Sequence, residues 1–146
     1  MRSATNRYLR RVCISDSITP HHWLSLLKQW EPGASGFAER LESLKYAYER
    51  GWDTTISAEP LLDKTPDALI AALHEYVSGS IWIGKMNFAS RRVKMNVASS
   101  DLLPHVAELM EAQSDENIIA IYERFKDNPM IEWKESIKKV ITSYST

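Results

Sequence analysis

Short runs of β-formers alternate with segments of helical period along most of this chain, and that alternation narrows the choice of fold more than any other feature. Residues 11–15 read Arg-Val-Cys-Ile-Ser, residues 52–58 end in Thr-Ile-Ser-Ala, and residues 80–83 read Ser-Ile-Trp-Ile. Each run is short, apolar and rich in β-branched or aromatic residues, as a buried strand requires. Helical patterns separate them. Strands joined by helices run parallel in one sheet with right-handed crossovers. Residues 10–87 are therefore expected to form a βαβαβ unit, and residues 100–144 a helical C-terminal part.

The helix boundaries carry recognisable chemistry. Thr19-Pro20 and Thr65-Pro66-Asp67 each match an N-cap followed by proline at the first helical position. The first of these helices carries Trp23, Leu24, Leu27 and Trp30, and Glu31-Pro32-Gly33 breaks it. A longer helix is expected over 36–50, with Phe37, Leu41, Leu44 and Tyr48 as its inner stripe. Gly51 is placed to end it in the left-handed conformation. Leu69, Leu73, Tyr76 and Val77 form the inner face of the next helix, which Ser78-Gly79 ends. Downstream, Ser100 caps a helix carrying Leu103, Val106 and Met110. Further helices are expected over 115–126 and 132–143, separated by Asn128-Pro129, the last with Trp133, Ile137 and Ile141 on one stripe.

A chain of 146 residues suits one domain with a core that needs no staples. The formal net charge of −1 supplies no bulk attraction to nucleic acid or membrane. The single cysteine, Cys13, forms no internal disulfide and no cysteine-rich metal cage. A reducing, cytoplasmic setting is expected. The basic N-terminus has no apolar run after it, and no stretch of about 18 apolar residues exists to span a membrane.

In parallel α/β sheets and barrels, ligands bind at the carboxyl ends of the strands. That rule selects Ser15, Asp16 and Ser17 after the first strand, Glu59 after the second, and Lys85 and Asn87 after the third. Together they offer hydroxyls, carboxylates, an ammonium and an amide, a set suited to a nucleoside with an amino-acid tail. The alternative is that they are ordinary loop-start residues. Glu59 has its own pair of readings, a site carboxylate or a salt-bridged turn residue ahead of Pro60. Lys85, Arg91, Arg92 and Lys94, with Phe88 among them, form a basic cluster for contact with the phosphates of a nucleic acid or with a substrate; the competing reading is a solvated basic loop, which the near-neutral net charge favours. His21 and His22 point about 100° apart on a helix, and His74 and His105 stand alone, so no metal site is expected.

Four segments resemble the radical S-adenosylmethionine (SAM) enzymes, and the branch grouped with spore photoproduct lyase in particular. They are Trp30-Glu31-Pro32-Gly33-Ala34 with Glu39-Arg40-Leu41; Thr54-Thr55-Ile56-Ser57-Ala58-Glu59-Pro60-Leu61-Leu62; Ile81-Trp82-Ile83-Gly84-Lys85-Met86-Asn87; and Tyr122 to Pro129 followed by Trp133-Lys134-Glu135-Ser136-Ile137. The resemblance implies half of a TIM-like (β/α) barrel. It makes this chain the C-terminal half, whose strand ends help hold SAM and substrate, with Ser15, Ser17, Glu59 and Asn87 toward the cofactor. The family's front half carries three cysteines on a [4Fe–4S] cluster. They are absent here, and a cluster needs several thiolates, so a missing N-terminal half would have to supply it and the chain is expected to be inactive alone.

Two further readings accompany this one. A half-barrel with open strand edges pairs with a second copy as a non-catalytic assembly module. Alternatively, Glu59 and Lys85 act as acid and base in a small complete enzyme.

Overall fold

The computed structural model describes residues 10–13, 33, 35–62, 64–96 and 103–145. Strand β1 (Arg10–Cys13) is followed by helix α1 (Phe37–Glu49), strand β2 (Thr54–Ala58), helix α2 (Asp67–Leu73) with a 3-10 turn (His74–Tyr76), and strand β3 (Ile81–Ile83). Then come α3 (Ala89–Asn96), α4 (Leu103–Ala112), α5 (Asp115–Phe125), strand β4 (Ile131–Trp133) and α6 (Glu135–Tyr144). The four strands form one sheet in the order β1-β2-β3-β4, and every neighbouring pair is parallel. The fold is thus the α/β class that the strand–helix alternation predicts. The expected strand at 11–15 is β1, shifted by one residue at its start; Ile14, Ser15, Ser17 and the helix expected from Thr19 to Trp30 lie outside the described residues.

The register explains the core. Ile56, Ile81 and Ile131 align across the sheet, and Ala58, Ile83 and Trp133 align two residues later. Side chains alternate faces along a strand, so these rows share one face. Ile56, Ala58, Ile81, Ile83 and Ile131 are buried there with Leu44 of α1, Leu69 and Leu73 of α2, Ile118 and Ile121 of α5 and Ile137 of α6. The opposite face carries the row Ser57, Trp82 and Glu132. One face of the sheet is therefore packed by helices and the other is polar.

β4 overturns part of the C-terminal reading. Residues 131–133 fall in a strand, so the C-terminal part is not purely helical, and the last helix begins at Glu135. Three residues have too little length to declare a period. β3 decides the matter by offering an open ladder, which β4 takes through Ile81 N–H to Met130 C=O (2.8 Å) and Lys134 N–H to Ile83 C=O (2.9 Å).

Smaller departures have equally local causes. Tyr48 is 43% exposed, and Ala47 takes the buried place beside Leu44. The ring stands edge-on to Tyr76 instead, with centroids 6.1 Å apart. The cap of α2 is Pro66, with no side-chain cap bond, so Thr65 does not cap it. Gly51 does adopt a positive φ of 69°, and its N–H reaches Tyr48 C=O at 2.9 Å while Trp52 N–H reaches Ala47 C=O at 3.1 Å; this closes α1 as expected. Arg91, Arg92 and Lys94, for which a solvated basic loop is one of the two readings, lie in the helix α3.

Candidate functional site

The parallel strands all present their carboxyl ends on one rim, and the site builds up from the register there. Ser57, Trp82 and Glu132 form the last aligned row on the polar face. Continuing two residues along each strand brings Glu59, Gly84 and Lys134 into the next row. The ladder continues with them: Gly84 N–H donates to Ala58 C=O at 2.9 Å and Lys134 N–H to Ile83 C=O at 2.9 Å.

The middle of this row is glycine, and its lack of a side chain lets the two ends meet. The Glu59 side chain lies over Gly84. A β-carbon on Gly84 would stand 2.7 Å from Glu59 Cγ and 2.8 Å from Cδ. Adjacent strands are about 4.8 Å apart, so a carboxylate on β2 reaches a lysine on β4 only by crossing β3. Glu59 does so. Its Oε2 lies 3.6 Å from Lys134 Nζ, and its Oε1 accepts from Ser136 Oγ at 3.4 Å. The Lys134 ammonium also sits 5.6 Å from the centroid of the Trp82 ring, close enough for a cation–π attraction. Both ends of the pair are only partly exposed, which screens it less than a surface pair. The Glu59–Pro60 peptide is cis.

Ser136, in the first turn of α6, joins the third strand to this group. Its Oγ accepts from the Lys85 N–H at 3.0 Å. The Lys85 ammonium points elsewhere, to Asp115 at the start of α5. The Glu59 carboxylate and the Lys85 ammonium therefore have separate ionic partners, Lys134 and Asp115. Asn87 lies in the exposed turn before α3, and among the described residues no hydrogen bond joins it to Glu59. Next to it Phe88 is 77% exposed with a φ of 57°, a conformation uncommon for a bulky residue. Arg91 is exposed on α3; Arg92 belongs to the same helix, and its side chain is outside the described set, as are Ser15 and Ser17.

The structure thus assembles Glu59 with three residues that sequence reasoning passed over: Trp82, Lys134 and Ser136. The signal for the latter two is the Asn128-Pro129 turn followed by alternating Ile131, Glu132 and Trp133, a strand pattern after a turn. A carboxylate, an ammonium and a hydroxyl on one rim are complementary to a zwitterionic amino-acid group and its neighbouring hydroxyls. The iron–sulfur cluster has no such fit. The chain has one cysteine, and among the described residues no group of three His, Cys, Asp or Glu side chains is placed to hold a metal.

A pocket of about 100 Å³ lined by Lys64, Pro66, Asp67, Asn117 and Arg124 contains no rim residue. Two lysines have raised pKa values, Lys45 through its hydrogen bond to Glu42 and Lys126 through its bond to Glu123; both are exposed pairs one helical turn apart. Among the described residues no helix is long and apolar enough to cross a membrane. No protein-family model, no curated protein and no solved structure matches the chain.

Proposed function

We propose that this chain is the C-terminal arc of a radical SAM-type (β/α) barrel and that its strand-tip rim holds the amino-acid end of SAM. The observation that carries the reading is the strand order. Doubly wound sheets reverse their strand order near the middle, whereas a barrel adds each parallel strand to the same growing edge. The order β1-β2-β3-β4 follows the barrel rule. On this reading Glu59, Lys134 and Ser136 belong to the strand-tip rim at which a barrel keeps its ligand. In this reading the Glu59 carboxylate takes the α-ammonium of SAM, Lys134 its carboxylate, and Ser136 orients Glu59. SAM supplies a methionine-linked sulfonium as its reactive group; the chain's own residues bind and orient it. The cluster would have to come from a cysteine-bearing N-terminal half, because one thiol cannot hold it.

The test is calorimetric titration of SAM into the chain and into its Glu59→Ala variant. Saturable heat that the variant loses by about tenfold or more in affinity supports the reading; no heat with the wild-type chain removes it. Mixing with a cluster-bearing front half should restore reductive SAM cleavage. The phosphate or substrate contact through Lys85, Arg91 and Arg92 remains part of this proposal. Arg91 and Lys94 are exposed and without an ionic partner among the described residues.

One observation favours a second reading, a module that assembles with its own kind. Among the described residues β4 has no strand on its outer side, and an open edge is a template for pairing. A dimer by light scattering, abolished by substituting the outward-facing backbone position Trp133→Pro, would select it.

A further inference from the structure

The exits of β2 and β3 are laced together, and the lacing changes partner partway up. Gly84 N–H donates to Ala58 C=O at 2.9 Å, and Leu61 N–H donates to Gly84 C=O at 2.8 Å. The next rung of a parallel ladder would join Leu61 C=O to Met86 N–H. A side chain stands there instead. The Gln113 Nε2 donates to Leu61 C=O, and its Oε1 accepts from Met86 N–H at 2.6 Å. The carboxamide serves as an inserted peptide group, and the two loops part by its width.

Gln113 is well placed to hold that opening. It lies at the corner between α4 and α5 and is 3% exposed, so water does not compete for its bonds. The corner reinforces it at alternate positions. Glu111 pairs with Lys64, Asp115 pairs with Lys85, and Asn117 Nδ2 donates to Lys64 C=O at 3.1 Å. One short segment therefore grips both loops, two residues beyond Glu59 on one side and beyond Gly84 on the other.

We propose that Gln113 is a positioning residue of the rim: its amide sets the separation of the β2 and β3 exits and so the line along which Glu59 crosses Gly84 to Lys134. The claim rests on the reading of that rim as a ligand site. Gln113 touches no ligand; it acts through the two loops. Removing both of its bonds leaves a buried carbonyl and a buried N–H unpaired, and the separation of the two loops is no longer fixed.

Two variants test this. Gln113→Met keeps length and volume and loses both bonds. In it the Met86 amide should exchange with solvent at least about tenfold faster while Ile56 and Ile83 keep their protection, and the Glu59 Cδ resonance should shift as its pairing changes. SAM affinity should fall about tenfold, since small misplacements of site groups are costly. Gln113→Glu adds a pH signature that a purely structural role would not give to the rim. Its carboxylate accepts from Met86 but repels Leu61 C=O. Burial raises its pKa, and the protonated form recovers the donor, so Glu59 Cδ and SAM affinity should return toward wild type as pH falls.

Unchanged Met86 exchange in the Met variant overturns the proposal. So does released Met86 with an unmoved Glu59 resonance. If the Met variant does not fold, the Glu variant decides: no recovery of the Glu59 resonance at low pH counts against the clamp. If the wild-type chain binds no SAM, the ligand reading fails on its own, and the clamp still stands or falls on Met86 and Glu59.

Discussion

Gly84→Ala isolates the geometry on which the rim depends. Gly84 has no positive φ to protect, so alanine is conformationally acceptable and any cost comes from space. The added methyl would lie 2.7 Å from Glu59 Cγ, 2.8 Å from Cδ and 2.9 Å from Cβ. Carbon atoms rest at about 3.5–4.0 Å, so the whole stem is displaced by several tenths of an ångström or more. The Cβ contact matters most, because that atom is anchored to the backbone and cannot swing away. Overpacking of this kind costs about 1–3 kcal/mol. Loss of the partly exposed ion pair to Lys134 adds at most about 1 kcal/mol. For a chain of this length about 2 kcal/mol lowers the melting temperature by roughly 4–8 °C. Urea denaturation of four proteins (wild type, Gly84→Ala, Glu59→Ala and the double variant) measures the coupling directly. The Gly84→Ala cost should fall by about a third in the Glu59→Ala background, where Cγ and Cδ are gone and the Cβ contact remains. An alanine variant within about 0.5 kcal/mol of wild type, or the same cost in both backgrounds, would refute the crossing of Glu59 over Gly84.

Other consequences are independent of the rim. Thr54 is buried, donates from Oγ1 to Tyr76 C=O at 2.7 Å and accepts from Ser78 N–H at 3.0 Å; Thr54→Val strands both backbone groups and should cost about 1–3 kcal/mol by urea denaturation. Ile81→Ala removes a fully buried side chain from the centre of the sheet and should cost about 2–5 kcal/mol in the same assay. Ser114 Oγ accepts from Asn117 N–H at 3.2 Å as the cap of α5. Ser114→Ala should therefore cost about 1 kcal/mol, whereas Ser114→Asp, which retains a capping oxygen, should stay within about 0.5 kcal/mol of wild type.

The boundary between local and distant information runs through individual residues. The helix period of residues 37–49, the glycine that ends it and the apolar character of β2 and β3 are all written in near neighbours, because helices and buried strands are selected by side chains a few positions apart. Hence the α/β class, the parallel direction and Glu59 at a strand tip were legible in advance. β4 was not. Ile131, Glu132 and Trp133 suit a helix start or a strand equally well, and only the open ladder of β3 distinguishes them.

The candidate site shows the same division more sharply. Sequence alone determined that polar residues follow the strands and that a single thiol cannot hold an iron–sulfur cluster. Only the tertiary structure decided which of those residues meet: that Glu59 passes Lys85 by, crosses Gly84 and reaches Lys134, and that Gln113 fills the missing rung between Leu61 and Met86. The reason is distance along the chain. These partners lie tens of residues apart, no local period links them, and strand register brings them together only once the whole sheet has formed.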